Sequence, residues 1–167
     1  LLAATAAPAQ TIRFGPGLAA PTAFNPATGR YEEGSSFDPY ICAEQSCGEL
    51  LHNIFEGLVS VSPNGEIRPE LAVAWQRLDD LRFRLTLRRG VVFQNGEPFD
   101  AEAVRFSLLR ASQAFGATAW FPEIARVDIV DPYVLDVVLK SPDSVFLHRI
   151  VRLALILPPK YFRQSGA

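Results

Sequence analysis

The sequence predicts an α+β fold in which a mixed sheet with hairpins is flanked by helices. Three observations support this prediction. Three short turn-forming stretches each separate two strand-like segments, one of these segments alternates strictly between apolar and polar residues, and a helix with a clear start signal follows it. Strands and helices are mixed without a regular strand–helix–strand rhythm, which favours α+β over a parallel α/β arrangement.

The strictly alternating segment is the clearest predicted strand. Phe83, Leu85 and Leu87 fall on one face, whereas Arg84 and Thr86 fall on the other. A period of two is typical of a strand with one buried face. We therefore expect this segment to form a half-buried strand.

A tight turn and a capped helix are predicted directly after this strand. Asn95-Gly96 is expected to supply a pair of residues with positive φ for a sharp reversal. Asp100 can accept a hydrogen bond from the free amides at the start of a helix. Phe99 and Val104 stand at the two positions of a hydrophobic staple, which favours the same helix start.

Turn signals predict three hairpins. The turns are expected at Pro63-Asn64-Gly65, Asp79-Asp80 and Asp131-Pro132. The segments that they join are Val59–Ser62 with Glu66–Arg68, Trp75–Leu78 with Arg82–Leu87, and Ile124–Val130 with Tyr133–Leu139.

The remaining elements are predicted from weaker patterns. The solvated acids Glu32-Glu33 are expected in a turn, and Gly57 is expected to end the first helix. The predicted elements are a strand at Thr11–Phe14, a loop to Ser36, a helix at Glu44–Phe55, a helix at Ser144–Val151 with His148 on its surface, a buried strand at Leu153–Leu157, and a short helix that begins at Pro159.

Composition and the first residues indicate an exported globular protein. The 167 residues carry 49% hydrophobic side chains and a net charge of −2, so no basic excess suggests a nucleic-acid partner. The opening LLAATAAPAQ reads as the end of a secretory signal, with Ala7-Pro8-Ala9 as an A-x-A cleavage site. We therefore predict a signal-peptide remnant at residues 1–9, a domain at residues 10–167, and a periplasmic location.

No set of residues predicts catalysis or a metal site. Cys42, Cys47 and His52 are spaced by five residues, which on one helix places neighbours about 140° apart and prevents a shared face. A Cys42–Cys47 disulfide and two free thiols both remain open. No nucleophile motif accompanies either histidine, and no pair of acids is placed across a cleft. The prediction is a non-enzymatic protein that requires no cofactor.

Four separated segments resemble family 5 of the extracellular solute-binding proteins, the peptide, dipeptide and nickel receptors of bacterial ABC importers. They are NIFEGLVSVSPNGEIRPELAVAW, LTLRRGVVFQNGEPFDAEAVRFSLLR, VDIVDPYVLDVVLKSP and LPPKYF. The resemblance implies the N-terminal part of a two-lobed receptor, expected to be a monomer, that closes on a small solute such as a peptide and presents it to the importer's permease. Family members are considerably longer, so the resemblance also implies that this chain is a fragment.

The same resemblance implies two ligand-contacting segments. The first follows Asp38-Pro39, and its Glu44 is expected to meet a cationic group such as a peptide amino terminus. In the second, Trp120 is expected to stack on a planar or apolar part of the ligand. The alternatives are that the first group only begins a helix and that Trp120 lies in the core. The implied ligand-binding residues are Cys42, Ala43, Glu44, Gln45, Trp120 and Phe121.

Two other functional classes stay open at this point. One is an enzyme of the cell envelope on a similar scaffold, and the other is a ligand-sensing or chaperone-like module that binds without transport. Within the receptor interpretation, a peptide and a nickel chelate are both compatible with the sequence.

Overall fold

A computed structural model describes residues 22–25, 30–33, 39–40, 51–115 and 121–165 of the chain. Within these ranges it contains eight strands and three complete helices. The elements in chain order are β1 (Thr22–Asn25), β2 (Arg30–Glu33), β3 (Val59–Val61), β4 (Ile67–Pro69), β5 (Ala72–Arg77), β6 (Arg82–Leu87), α1 (Ala101–Phe115), β7 (Ile124–Asp131), β8 (Val134–Leu139), α2 (Phe146–Leu153) and α3 (Pro159–Ser165).

The largest unit is a four-stranded antiparallel sheet with the order β5-β6-β8-β7. Strand β6 lies at its centre, where Leu85 pairs with Trp75 of β5 and with Leu135 of β8. Strands β3 and β4 form a separate hairpin, as do β1 and β2. All three predicted hairpins are confirmed, and the α+β prediction with them.

The core lies on one face of the four-stranded sheet. Phe83, Leu85 and Leu87 are buried, and they alternate with half-buried polar residues along β6. This confirms the predicted strand. Trp75 is half-buried against the same core. The core also includes residues from two helices and from β8, namely Val104 and Leu108 of α1, Phe146 and Ile150 of α2, and Leu135, Val137 and Leu139 of β8.

An ion pair between a partly exposed arginine and a buried aspartate joins the two central strands on the opposite face of this sheet. Arg84 Nε and Nη2 donate to Asp136 Oδ1 and Oδ2 at 2.7 and 2.9 Å, and Asp136 is only 4% exposed. These hydrogen bonds hold the pKa of the Asp136 carboxyl below its usual value, and they outweigh burial, which acts in the other direction. The bidentate geometry fixes the pairing of β6 and β8.

Helix α1 begins where the sequence predicts it. The Ala103 N–H donates to Asp100 Oδ1 at 3.1 Å, which is the geometry of an N-cap. The two staple residues, Phe99 and Val104, are both buried. The turn before the helix differs from the prediction in one respect. Gly96 has a φ of 85°, but no non-glycine residue in the described ranges has positive φ, so Asn95 does not share that conformation.

Two assignments were wrong, one of a loop and one of a strand. Part of the predicted loop before Ser36 forms the β1–β2 hairpin, so Glu32 and Glu33 lie in β2 and not in a turn. Leu153 ends α2, and within the described ranges the predicted strand at Leu153–Leu157 forms a single isolated bridge, between Leu155 and Gly57. The segment is buried as predicted, but Gly57 is its bridge partner and not the end of a helix.

The predicted helix at Glu44–Phe55 ends earlier than expected, because Leu51 is helical whereas residues 52–54 form a turn. The two remaining helix predictions agree with the structure. Helix α2 covers most of the predicted Ser144–Val151, His148 is exposed on it, and α3 begins at Pro159. Among the described helices, none has the length and apolar character needed to cross a membrane. The predicted strand at Thr11–Phe14 and the boundary after residue 9 lie outside the described residues.

Candidate ligand-binding site

Most of the predicted ligand-binding residues lie outside the described part of the chain. These are Cys42, Ala43, Glu44, Gln45 and Trp120. Phe121 is described, and with 1% of its surface exposed it packs in the main core. This burial does not test the predicted ligand contact of Phe121, which stays a prediction. The structure bears on this site through the residues that bracket its two segments.

The segment 41–50 is attached on both sides to Leu155. Before it, the buried Tyr40 donates its hydroxyl proton to the Leu155 carbonyl at 2.5 Å. After it, Leu51 and Leu155 form a small buried cluster, against which Phe55 packs. The two ends of the first predicted ligand segment are therefore held at one point of the interior.

Leu155 belongs to a fully buried stretch, Ala154–Leu157, between α2 and α3. Leu155 bridges Gly57 in antiparallel fashion, and the Ile156 N–H donates to the Glu56 carbonyl at 3.0 Å. Because a buried backbone must satisfy its polar groups, these bonds replace the regular ladder that the stretch lacks. We call Ala154–Leu157 the buried connector.

Helix α1 joins the buried connector to the second predicted ligand segment. On its buried face, Ser107 Oγ donates to the Ala103 carbonyl at 2.7 Å and accepts the Leu157 N–H at 2.9 Å. Beyond the segment 116–120 that follows α1, the Ile124 N–H donates to Ser112 Oγ of the same helix at 3.4 Å. Helix α1 thus ends directly before that segment and also binds the residue range that follows it.

This frame fixes the residues on either side of the two predicted ligand segments. The described residues contain no group of three His, Cys, Asp or Glu side chains that could hold a metal ion. His52, the described member of the Cys42/Cys47/His52 set, is exposed. What the frame provides is fixed attachment points for two segments of chain.

The residues that build the frame could not be identified from the sequence. Tyr40 and Ser107 carry no motif of their own, and the apolar run at the buried connector indicated burial but not its partners. Their contacts join residues that are far apart in sequence, 115 positions in the case of Tyr40 and Leu155.

Comparison with known proteins gives a consistent family. Residues 66–166 match the model of the bacterial extracellular solute-binding proteins, family 5 Middle. The glutathione-binding protein GsiB of Salmonella paratyphi A is 32% identical over 141 residues, which cover 80% of this chain and 28% of that protein. This chain therefore spans less than a third of the length of that curated relative.

Solved structures agree with the sequence comparison. The nickel ABC transporter protein from Bacillus halodurans is 32% identical, with a TM-score of 0.63 over 75% of this chain and 26% of its own. The ABC transporter substrate-binding protein from Sinorhizobium meliloti is 30% identical, with a TM-score of 0.62 over 68% of this chain and 25% of its own. With the match over residues 66–166, these likenesses show that the chain belongs to family 5 of the bacterial extracellular solute-binding proteins.

Proposed function

We propose that this protein is a periplasmic receptor that captures a small solute and delivers it to the permease of an ABC importer. The observation that carries the proposal is the family match over residues 66–166. The names of two relatives support a ligand class, because one is a glutathione-binding protein and another a nickel ABC transporter protein. A short peptide, of which glutathione is one, is the first candidate, and a nickel chelate is the second.

The ligand would be held by the two segments that the buried frame brackets. In the first, Glu44 would pair with the amino group of a peptide, as the charge of that group requires. In the second, Trp120 would offer an aromatic face and an indole N–H. Support comes from the attachments at Tyr40 and Ser107, because fixed ends limit the conformational entropy that each segment can lose on binding.

Binding would act by changing a conformational equilibrium. A ligand that contacts two lobes in the closed form stabilises that form over the open one by its differential affinity, and no covalent step is needed. The permease would then recognise the closed form. In this mechanism the present chain supplies one side of the clamp.

The test is a ligand screen on the full-length protein by thermal unfolding. Dipeptides, tripeptides including glutathione, and nickel chelates are compared with free amino acids and with chelator alone. A true ligand at a hundred times its Kd should stabilise the protein by about 2.7 kcal/mol. If neither peptides nor nickel chelates raise the melting temperature, the proposed ligand class is wrong.

A further inference from the structure

We propose that the exposed Asn64-Gly65 turn is a site of spontaneous asparagine deamidation, whereas the equivalent Asn95-Gly96 turn is protected by Glu97. Asparagine is among the thermally labile residues, and a following glycine leaves the next backbone nitrogen sterically open. The chain offers both turns in one molecule, so each serves as a reference for the other. This inference is independent of the proposed transport function.

The two turns have the same backbone. Each places glycine at the last position of a three-residue connection, with a φ of 83° for Gly65 and 85° for Gly96. Both asparagines and both glycines are exposed. The turns close with matching pairs of hydrogen bonds, namely Ser62 N to Glu66 O at 2.8 Å with Gly65 N to Ser62 O at 2.9 Å, and Phe93 N to Glu97 O at 2.8 Å with Gly96 N to Phe93 O at 2.9 Å.

The asparagine side chains differ. Asn95 Nδ2 donates to Glu97 Oε1 at 2.6 Å, and Asn95 Oδ1 accepts the Glu97 N–H at 3.1 Å. Asn64 makes no side-chain hydrogen bond within the described ranges. In its turn the N–H of Glu66 donates instead to Ser62 Oγ at 3.1 Å. One amide is therefore held at both ends, and the other is free to rotate.

The reaction requires the side-chain amide to reach the next backbone nitrogen. The Gly65 nitrogen loses its proton to solvent base and attacks Cγ of Asn64, so that an N–Cγ bond forms. The Cγ–Nδ2 bond then breaks, and the leaving nitrogen takes up a proton and departs as ammonia. Water opens the resulting succinimide at either carbonyl, which gives Asp or isoAsp at position 64 without any oxidant or reductant.

The difference in side-chain bonding sets the expected difference in rate. The glycine N–H makes the same 2.9 Å bond in both turns, so its release costs both sites alike. Asn95 must in addition break two hydrogen bonds, one of them to a carboxylate, before its Cγ can approach Gly96. The free energy needed to break both bonds should slow deamidation of Asn95 by about tenfold or more relative to Asn64.

Deamidation at Asn64 should also be visible in the structure around it. The His148 Nε2 atom lies 3.3 Å from the Gly65 carbonyl, which connects the tip of the β3–β4 hairpin with α2. An isoAsp residue adds a backbone atom at the preceding position and displaces that carbonyl. A His148 resonance that shifts as isoAsp accumulates is the expected sign.

The experiment follows both sites in one sample. The purified full-length protein is incubated at mildly alkaline pH, and peptide mapping by mass spectrometry measures Asp and isoAsp at positions 64 and 95 over time. The same protein in urea gives the rate of each site without structure, which corrects for the different preceding residues, Pro63 and Gln94. Relative to its own unfolded rate, Asn64 should react about tenfold faster than Asn95.

Two matched variants test the protecting group. Glu97→Ala should raise the rate at Asn95 towards that of Asn64, whereas Glu66→Ala, at the same place in the other turn, should leave the rate at Asn64 unchanged. Circular dichroism at the incubation temperature confirms that both variants are folded. Equal normalised rates at Asn64 and Asn95 in the parent protein overturn the proposal, as does an unaltered Asn95 rate in a folded Glu97→Ala protein.

Discussion

A single carboxylate determines where α1 begins. Asp100 Oδ1 accepts the Ala103 N–H at 3.1 Å and so satisfies one of the free amides of the first turn. Asp100→Ala should therefore lower the free energy of unfolding by about 1 kcal/mol. Urea unfolding at neutral pH measures the change. Asp100→Ser, which keeps a capping oxygen, should retain most of the stability, and an unchanged midpoint in Asp100→Ala would show that the cap contributes nothing.

The buried connector depends on the hydrogen bond that its Leu157 N–H donates to the Ser107 hydroxyl. Because Ser107→Ala leaves the Leu157 N–H buried without an acceptor, the variant should lose about 1–3 kcal/mol of unfolding free energy. Ser112→Ala is the matched control on the same helix. Its hydroxyl accepts a longer bond of 3.4 Å in a partly buried position, so its loss should be smaller. A larger loss in Ser112→Ala than in Ser107→Ala would contradict this assignment.

At the scale of elements, short-range sequence signals were sufficient to predict a strand or hairpin formed by residues that are close in the sequence. The β6 strand and the three hairpins could be predicted because alternation and turn residues act over a few positions. The apolar run at Leu153–Leu157 predicts a strand that does not form, because burial alone cannot distinguish a strand from an irregular buried stretch. Asn95 keeps negative φ because the three-residue turn requires the left-handed conformation only at Gly96.

Attachment of α3 depends on a carboxylate from another element. Glu97 accepts the backbone N–H groups of Lys160 and Tyr161, at 2.9 and 3.0 Å, in the first turn of α3. Burial raises the pKa of Glu97. Hydrogen bonds from those two amides and from the Asn95 side chain outweigh this effect, so the net pKa lies below its usual value.

The direction of this shift predicts an acid-sensitive contribution to stability. A carboxylate whose pKa is lower in the folded state stabilises the protein above its unfolded pKa of about 4.3, and the contribution is lost as the pH falls through the folded value. Glu97→Gln should be less stable than the parent at neutral pH, and the difference should vanish in acid.

Urea unfolding from about pH 6 to about pH 3 measures this difference across the range in which glutamate titrates. Glu66→Gln is the control, because the Glu66 side chain has no hydrogen bond to the described residues. A Glu97→Gln curve that stays parallel to the parent curve down to the lowest pH would refute the linkage.

At the scale of the whole molecule, the candidate site depends on contacts that no local pattern reveals. The resemblance alone indicated the two ligand segments, whereas Tyr40, the buried connector and Ser107 became evident only from the structure. Tyr40 and Leu155 are 115 positions apart, and Ser107 and Leu157 are 50 apart. Such pairs are specified by packing in three dimensions, so a single sequence contains no short-range signal for them.

Trp120 is expected to contact the ligand in the second predicted ligand segment. If Trp120 stacks on the ligand, Trp120→Ala should raise Kd about thirtyfold, which corresponds to the roughly 2 kcal/mol typical of an aromatic anchor. The probe is whichever peptide or nickel chelate gives the largest melting shift, and isothermal titration measures its Kd on the full-length protein.

Melting of the ligand-free variant reports folding separately, because a surface aromatic can be truncated at little cost in stability whereas a core tryptophan cannot. Tyr161→Ala is the matched control, since Tyr161 is 57% exposed on α3 and lies in neither ligand segment. That variant should keep both Kd and melting temperature. An unchanged Kd in Trp120→Ala together with a large fall in its melting temperature would assign Trp120 to the core, and the second ligand segment would then have to be sought elsewhere in the chain.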